Sequence, residues 1–208
     1  MTMFAAMLEL DRKVVKALRI TDPYSIHRAV YGMFPDVRNE HEKASGETSS
    51  GILFADLGGD ARSRRIITLS DRPPEPERLD PIPTVSTREV TDGFLRHDYY
   101  RFKVRTNPVR RTRNKAVPVR GEEAVGNWFQ SSAEQKWGFK VRGTLDIRDQ
   151  NALHFRGKNN APITLNQAWI SGVLEVTERE AFLASFKTGI GRARSFGFGL
   201  LQIVPVTP

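Results

Sequence analysis

Cysteine is absent from this sequence of 208 residues, and histidine occurs only four times. Without cysteine the chain has no disulfide, no thiolate metal site and no cysteine nucleophile. The four histidines are far apart and include no His-x-x-x-His pair, which argues against a histidine-rich metal site. They are His27, His41, His97 and His154. We therefore expect a protein that uses no metal ion and no other cofactor.

Long apolar runs are also missing. No stretch approaches the roughly 20 apolar residues that a membrane-spanning helix needs. The first ten residues form too short an apolar run for a secretory signal and lack its basic leader. Hydrophobic residues make up 39% and charged residues 27% of the chain, as in soluble globular proteins. We expect a soluble, cytoplasmic protein of one medium or two small domains, without a membrane partner.

Acidic residues are missing from the segment between Tyr99 and Gly121. The formal net charge of the chain is +8, from 32 basic and 24 acidic residues. The segment contains eight basic residues, which leaves 24 basic against 24 acidic residues in the remainder. These eight are Arg101, Lys103, Arg105, Arg110, Arg111, Arg113, Lys115 and Arg120. Charge concentrated in this way is typical of a protein that binds a polyanion, and nucleic acid fits it better than a solubilising patch does.

A helix is predicted to begin at Asp22, which can cap it, with Pro23 at its first position. At about 100° per residue it has an apolar face and an opposite face that carries Tyr24, His27, Arg28 and Tyr31. An imidazole, two phenols and a guanidinium together can transfer protons on an anionic substrate. Spacing alone, however, favours an ordinary polar helix face.

The remaining pattern predicts an α+β protein in which short strands alternate with helices. The predicted strands are Met3–Leu10, Gly51–Leu57, Arg65–Ser70, Asp98–Arg105, Ile163–Val176 and Leu200–Val204. Two further helices are predicted over Glu122–Trp137 and, from a capping box of Thr177 and Glu180, over Glu178–Phe186. Thr84–Phe94 fits a short strand or a degenerate helix, and Arg110–Lys115 and Asn39–Gly51 are predicted as loops. The first strand, helix, strand and strand match the start of a ferredoxin-like unit, and a similar unit follows.

Two stretches add cationic surface to this plan. In the strand Asp98–Arg105 the apolar residues alternate with Arg101, Lys103 and Arg105, which predicts an outer face that is entirely cationic. Near the C-terminus, Arg192 and Arg194 lie among four glycines, namely Gly189, Gly191, Gly197 and Gly199. This arrangement predicts a loop that cradles phosphates, although it matches no known nucleotide-binding motif. A helix-ending glycine followed by a turn explains one or two of the four glycines.

Three motifs resemble those of one family. The glycine-rich close, Gly-Ile-Gly, five residues and Gly-Phe-Gly-Leu-Leu, resembles the glycine loop of the repeat-associated (RAMP) CRISPR proteins. Asp22-Pro23-Tyr24-x-x-His27-Arg28 is similar to the active-site segment of the CasE-type endoribonuclease. The strand from Tyr100 to Arg105, followed by x-Asn107-Pro108, resembles the start of that family's second domain. The motifs occur in the family's order and span the chain.

The resemblance implies two tandem ferredoxin-like (RRM-like) domains, each an antiparallel sheet with helices on one face, over residues 1–95 and 96–208. It implies metal-independent cleavage of CRISPR precursor RNA at the base of a repeat hairpin, with the mature guide RNA kept in a Cascade complex with other subunits. The catalytic tyrosine and histidine match Tyr24 and His27. Some members also have a lysine five residues after the histidine, where this chain has Gly32. Arg28 and Arg38 are the cations available to replace it.

RNA contacts are expected mainly from basic side chains and glycine backbone, because the major groove of an RNA stem is too narrow for side chains to read. The expected contacts are Arg28, Arg105, Arg110, Arg111, Arg113, Lys115, Arg156, Lys158, Gly189, Gly191, Arg192, Arg194, Gly197 and Gly199. One alternative is a non-catalytic RNA-binding subunit of the RAMP type, in which His27 is incidental. A third class, a general RRM-type binder of single strands, is weaker because Phe196-Gly197-Phe198-Gly199 only partly matches the aromatic motif.

Overall fold

Two four-stranded antiparallel sheets form the framework of the protein, for which we obtained a computed structural model. The structure describes residues 2–37, 49–60, 62–112 and 115–207. They divide into two units: the first contains the described residues up to Thr91 together with Ser195–Gly197, and the second contains the rest. Each unit is described by itself below.

The sheet of the first unit has the strand order β2-β3-β1-β4. Its strands are β1 (Met3–Asp11), β2 (Ile52–Gly59), β3 (Ser63–Ser70) and β4 (Thr84–Val90). Every neighbouring pair is antiparallel, and Leu8 of β1 lies opposite Ile66 of β3. β1 and β2 are therefore parallel to each other with β3 between them, which is the arrangement of a split β-α-β unit.

Two helices separate β1 from β2: α1 (Arg12–Ala17) and α2 (Pro23–Gly32). The Asp22 carboxylate accepts a hydrogen bond from the Ser25 backbone N–H at 2.7 Å, and the Ser25 hydroxyl accepts one from the Asp22 N–H at 3.0 Å. This reciprocal capping fixes the first turn of α2. Ile26 and Val30, which are 3% and 0% exposed, pack into the core of the unit and leave the opposite face of α2 at the surface.

The sheet of the second unit repeats this topology with the order β10-β5-β9-β8. Its strands are β5 (Tyr99–Thr106), β8 (Phe139–Arg156), β9 (Pro162–Val176) and β10 (Gln202–Pro205). The helices are α3 (Glu122–Ser132), which continues into one π-helical turn over Ala133–Trp137, and α4 (Arg179–Thr188). The hairpin of β6 (Val109–Thr112) and β7 (Lys115–Pro118) is inserted between β5 and α3. The predicted α+β class with two tandem ferredoxin-like sheets is confirmed.

Several local predictions are wrong. The basic run from Arg110 forms the hairpin β6–β7 rather than a loop, because its backbone pairs across four registered positions. The capping box of Thr177 and Glu180 does not form, since Glu178 is the N-cap residue and the N–H groups of Thr177 and Glu178 both donate to the Gly138 carbonyl. The last strand begins two residues later than predicted.

The structure also assigns segments whose secondary structure the sequence left open. Thr84–Phe94 contains the strand β4 followed by a short 3-10 turn over Asp92–Leu95. The helix α1 was not predicted, although Asp11 caps it by accepting from the Val14 N–H at 2.9 Å. Most of the predicted loop Asn39–Gly51 lies outside the described residues. None of the helices in the described part of the chain is long and apolar enough to cross a membrane.

Candidate functional site

His27 lies half-buried on the face of α2 that points away from the core. Its Nδ1 atom is 2.8 Å from the backbone carbonyl oxygen of Ser195, which belongs to the same unit. Because a carbonyl oxygen can only accept a hydrogen bond, Nδ1 must carry the proton of this contact. In the neutral ring the lone pair is then on Nε2. The contact thus selects the tautomer in which Nε2 can accept a proton.

Three aromatic rings surround the imidazole of His27. The rings of Tyr24 and His27 are stacked at 14°, with centroids 5.9 Å apart, and the Tyr31 centroid is 4.2 Å from that of His27. Tyr24, His27 and Tyr31 share one helix face because they are separated by three and four residues. Phe196 contributes the third ring at 5.8 Å. The predicted face of α2 therefore forms a cluster around His27, and the Tyr31 hydroxyl extends it to the Ser50 hydroxyl at 3.1 Å.

Gly197 allows the segment that contains Ser195 and Phe196 to pack closely against the rest of the first unit. Its backbone φ of +82° is one that residues other than glycine rarely adopt. A Cβ atom here would lie 2.8 Å from the ring of buried Phe54. Any other residue at position 197 would therefore strain the segment that holds His27.

Gly199 likewise allows two backbone segments to approach closely, in this case within the second unit. A Cβ atom at Gly199 would lie 2.2 Å from the Ile190 carbonyl oxygen, and the Gly199 N–H donates to the Arg105 carbonyl at 2.7 Å. At Gly191, by contrast, the φ is +73° and the space around a Cβ atom is open. Gly197 and Gly199 thus permit close approach of protein to protein, while the role of all four glycines in RNA binding stays a prediction.

The predicted RNA-contacting cations occupy different environments. Arg28, Arg110, Arg111, Lys115, Arg156, Lys158, Arg192 and Arg194 are exposed. Two of these already have backbone partners: Arg156 donates to the Asn160 carbonyl at 3.2 Å and Arg194 to the Thr188 carbonyl at 2.7 Å. Arg113 and Arg38 lie outside the described residues. Eight of the predicted RNA-contacting cations are therefore exposed within the described part of one unit or the other.

Arg105 departs from the predicted exposed face of β5. It is only 8% exposed, its Nε donates to the Gln167 side chain at 2.7 Å, and its guanidinium lies 4.5 Å from the centroid of the Phe198 ring. Its other strand neighbours Arg101 and Lys103 are exposed as expected. The prediction of an entirely cationic exposed face is thus wrong at Arg105, whose charge is engaged inside the second unit.

Gly32 ends α2 against the connector between β3 and β4. A Cβ atom at Gly32 would lie 3.1 Å from Leu79 Cδ2, so a side chain here requires Leu79 to move. The Gly32 carbonyl accepts a hydrogen bond from Arg78 Nε at 3.3 Å. A guanidinium from another part of the chain therefore lies at this end of the helix.

Sequence reasoning missed the Ser195 carbonyl and the ring of Phe196. A backbone carbonyl has no signature in residue types, and Phe196 was considered only as part of an incomplete RRM motif. Among the described residues no group of three or more His, Asp or Glu side chains is placed to hold a metal ion.

Residues 3–205 match the family model described as CRISPR associated protein. The chain belongs to this family. The match covers nearly the whole chain and confirms the resemblance found in the three motifs. A search of curated proteins finds no match for this CRISPR-associated protein.

Solved structures share the fold of this CRISPR-associated protein over almost its whole length. Cse3 from Thermus thermophilus, bound to an RNA that represents a pre-cleavage complex, has a TM-score of 0.77 at 19% identity and covers 99% of this chain and 100% of its own. Cas6e from Escherichia coli K-12 has a TM-score of 0.71 at 19% identity, with coverages of 98% and 100%. A chain of a CRISPR RNA-guided surveillance complex in a pre-nicking state has a TM-score of 0.68 at 20% identity, with the same coverages. These TM-scores establish the shared fold.

The tautomer of His27 can be measured directly. At a pH well above about 6.5, the reference pKa of histidine, we expect long-range ¹H–¹⁵N spectra to show His27 with its proton on Nδ1. His154 is an internal control, because its Nδ1 faces the Thr164 hydroxyl at 3.1 Å, which can donate or accept. A neutral His27 protonated mainly on Nε2 would contradict the contact with Ser195.

Proposed function

We propose that this chain is an endoribonuclease that binds the repeat hairpin of CRISPR precursor RNA and cuts it without a metal ion. The observation that carries the proposal is the contact of His27 Nδ1 with the Ser195 carbonyl, which leaves Nε2 as the proton-accepting atom. The structures with the same fold include Cse3 and Cas6e, the former described as a CRISPR endoribonuclease bound to RNA. That likeness supports the substrate class.

The chemistry needs only alignment and proton transfer. In RNA the 2′-hydroxyl adjoins its own phosphate, so the nucleophile is part of the substrate and no activated water is required. The 2′-oxygen forms a bond to phosphorus, and the bond between phosphorus and the 5′-oxygen breaks. The 2′-oxygen loses a proton and the 5′-oxygen gains one. His27 Nε2 acts in this exchange as general base or general acid. The products are a 2′,3′-cyclic phosphate and a 5′-hydroxyl.

Tyr24 is the second catalytic group in this proposal. Its ring is stacked with that of His27 on the same face of α2, so that its phenol can position the 2′-hydroxyl or stabilise the charge that develops on the phosphate. Arg28 follows His27 directly and is exposed, and Arg78 donates to the Gly32 carbonyl at the end of the helix. We propose these guanidinium groups, with Arg38, as the cations that assist at the scissile phosphate in place of a lysine.

RNA affinity is proposed to come largely from the hairpin β6–β7 and other exposed cations. Arg110, Arg111 and Lys115 are exposed on two short strands that form a separate two-stranded sheet within the described chain. A two-stranded ribbon of this kind can follow a phosphate backbone, and phosphate contacts supply affinity rather than sequence reading. Arg156 and Lys158 at the end of β8, and Arg192 and Arg194 in the glycine loop, extend this set. Buried Arg105 contributes by shaping the loop around Phe198.

We propose further that the cut RNA stays bound as guide RNA and that this chain joins other Cascade subunits. One of the solved chains with this fold belongs to a CRISPR RNA-guided surveillance complex, which supports this assignment. Retention requires affinity that does not depend on the scissile bond, and the exposed cations far along the chain from His27 can supply it.

Replacement of His27 tests catalysis. In the presence of EDTA, we expect His27→Ala to lose about 10²–10⁴-fold in the single-turnover cleavage rate of labelled repeat RNA, because proton transfer is removed. RNA affinity should be nearly unchanged. His27→Asn should be equally slow, although its amide N–H can still donate to the Ser195 carbonyl.

His97→Ala is the matched control, because this exposed histidine lies outside the proposed site. It should cleave like the wild type. Rapid cleavage by His27→Ala in EDTA, or no cleavage by the wild type despite tight RNA binding, would contradict the catalytic assignment. The second result would favour the non-catalytic RNA-binding subunit.

The salt dependence of RNA binding tests the hairpin β6–β7. The plot of log Kd against log salt concentration should become shallower by roughly 1.4–1.8 in the double variant Arg110→Ala/Arg111→Ala, since each lost phosphate contact removes roughly 0.7–0.9. The double variant Arg65→Ala/Arg88→Ala removes two exposed arginines from the first sheet and should keep the wild-type slope. Equal slopes in all three proteins would rule out the hairpin as a phosphate-binding element.

A further inference from the structure

A groove in the second unit lies between the strand β6 and the helix α3. Its volume is about 830 Å³, within the range of about 300–1,000 Å³ that is usual for ligand sites. One wall carries Arg110 and Arg111 of β6, and the other carries Asn127, Trp128 and Ser131 of α3, with Lys136 beyond the end of the helix. All of these residues belong to the second unit.

The spacing along α3 explains why these side chains meet in the groove. Val125 and Phe129 are fully buried and hold one face of the helix in the core. Residues 127, 128 and 131 occupy the adjacent stripe, because side chains three and four positions apart share a helix face. Trp128 lies between the two environments: it is half-buried, and its ring stands at 77° to that of Trp137 with centroids 6.0 Å apart.

We propose that this groove takes one unpaired nucleotide of the bound RNA, with its base stacked on Trp128. The inference rests on the proposed RNA-binding function and adds a base-reading subsite to it. Unpaired bases can leave the stem and expose both their faces and their edges, whereas paired bases cannot. An indole offers a surface on which any base can stack.

The chemistry of the lining matches a nucleotide better than it matches an apolar ligand or a protein segment. The groove has three cations, Arg110, Arg111 and Lys136, against the single acidic residue Glu123. This excess of positive charge suits a phosphate, and the amide of Asn127 can both donate to and accept from a base edge. Arg110 and Arg111 also belong to the hairpin proposed to bind the phosphate backbone. The groove therefore continues the path of the RNA.

A double-mutant cycle that combines a change in the protein with a change in the RNA tests the subsite. A series of repeat RNAs would carry a 2′-deoxy nucleotide at the cut site and one abasic nucleotide at successive unpaired positions. For the wild-type protein we expect one abasic position to weaken binding by about 5- to 150-fold, the range for the loss of one stacked base. In Trp128→Leu that position should make no difference, because the stacking partner is already gone.

Trp169→Leu is the matched control, since Trp169 is a half-buried tryptophan of β9 outside the groove. It should retain the full sensitivity to the abasic position. If Trp128→Leu does not fold, as judged by circular dichroism, Ser131→Leu carries the test, because it fills the groove from an exposed position on α3.

The inference is overturned if no abasic position weakens binding, or if the same loss persists in Trp128→Leu or Ser131→Leu. Either result would mean that the groove does not hold a base. A groove that binds a protein partner instead would give such a result. Failure of the proposed function is a separate outcome: the wild type would then bind intact repeat RNA no better than an unrelated hairpin.

Discussion

The hydrogen bond from His27 Nδ1 to the Ser195 carbonyl determines what the face of α2 can do. The two tautomers of a neutral imidazole place the proton on different ring nitrogens. With this hydrogen bond, the proton is on Nδ1 and the basic lone pair is on Nε2. The contact depends in turn on the capped first turn of α2, which places the imidazole, and on Gly197, whose backbone conformation lets Ser195 approach. Tyr24, Tyr31 and Phe196 then restrict the ring.

Local sequence signals predicted α2 and the face that carries Tyr24, His27 and Tyr31, but they did not predict the partner of His27. Asp22, Pro23 and the apolar stripe act within a few residues, so that capping and periodicity are visible in the sequence. Ser195 is 168 residues from His27 and contributes only a backbone carbonyl, which every residue type possesses. The prediction that the apolar residues of β5 face the core was confirmed, because Tyr100, Phe102 and Val104 alternate along the strand and are all buried.

The predictions from sequence failed where contacts between residues far apart in the chain override the local pattern. Arg105 has the alternation of an exposed residue, yet Gln167 and Phe198 cover it. The basic run after Pro108 has no apolar alternation and was predicted as a loop, although its backbone pairs as a hairpin. The pairing of β10 with β5 was not predicted, since the two strands lie about a hundred residues apart in the chain. Membership of the CRISPR-associated family, by contrast, was already visible in three short motifs.

The 3′ end of the cut RNA tests most directly whether His27 serves attack by the 2′-hydroxyl. Mass spectrometry of the upstream product, made by the wild type in EDTA, should show a 2′,3′-cyclic phosphate. A single 2′-deoxy nucleotide before the cut should abolish the product. An upstream product that ends in a 3′-hydroxyl, or cleavage that tolerates the 2′-deoxy nucleotide, would contradict the account.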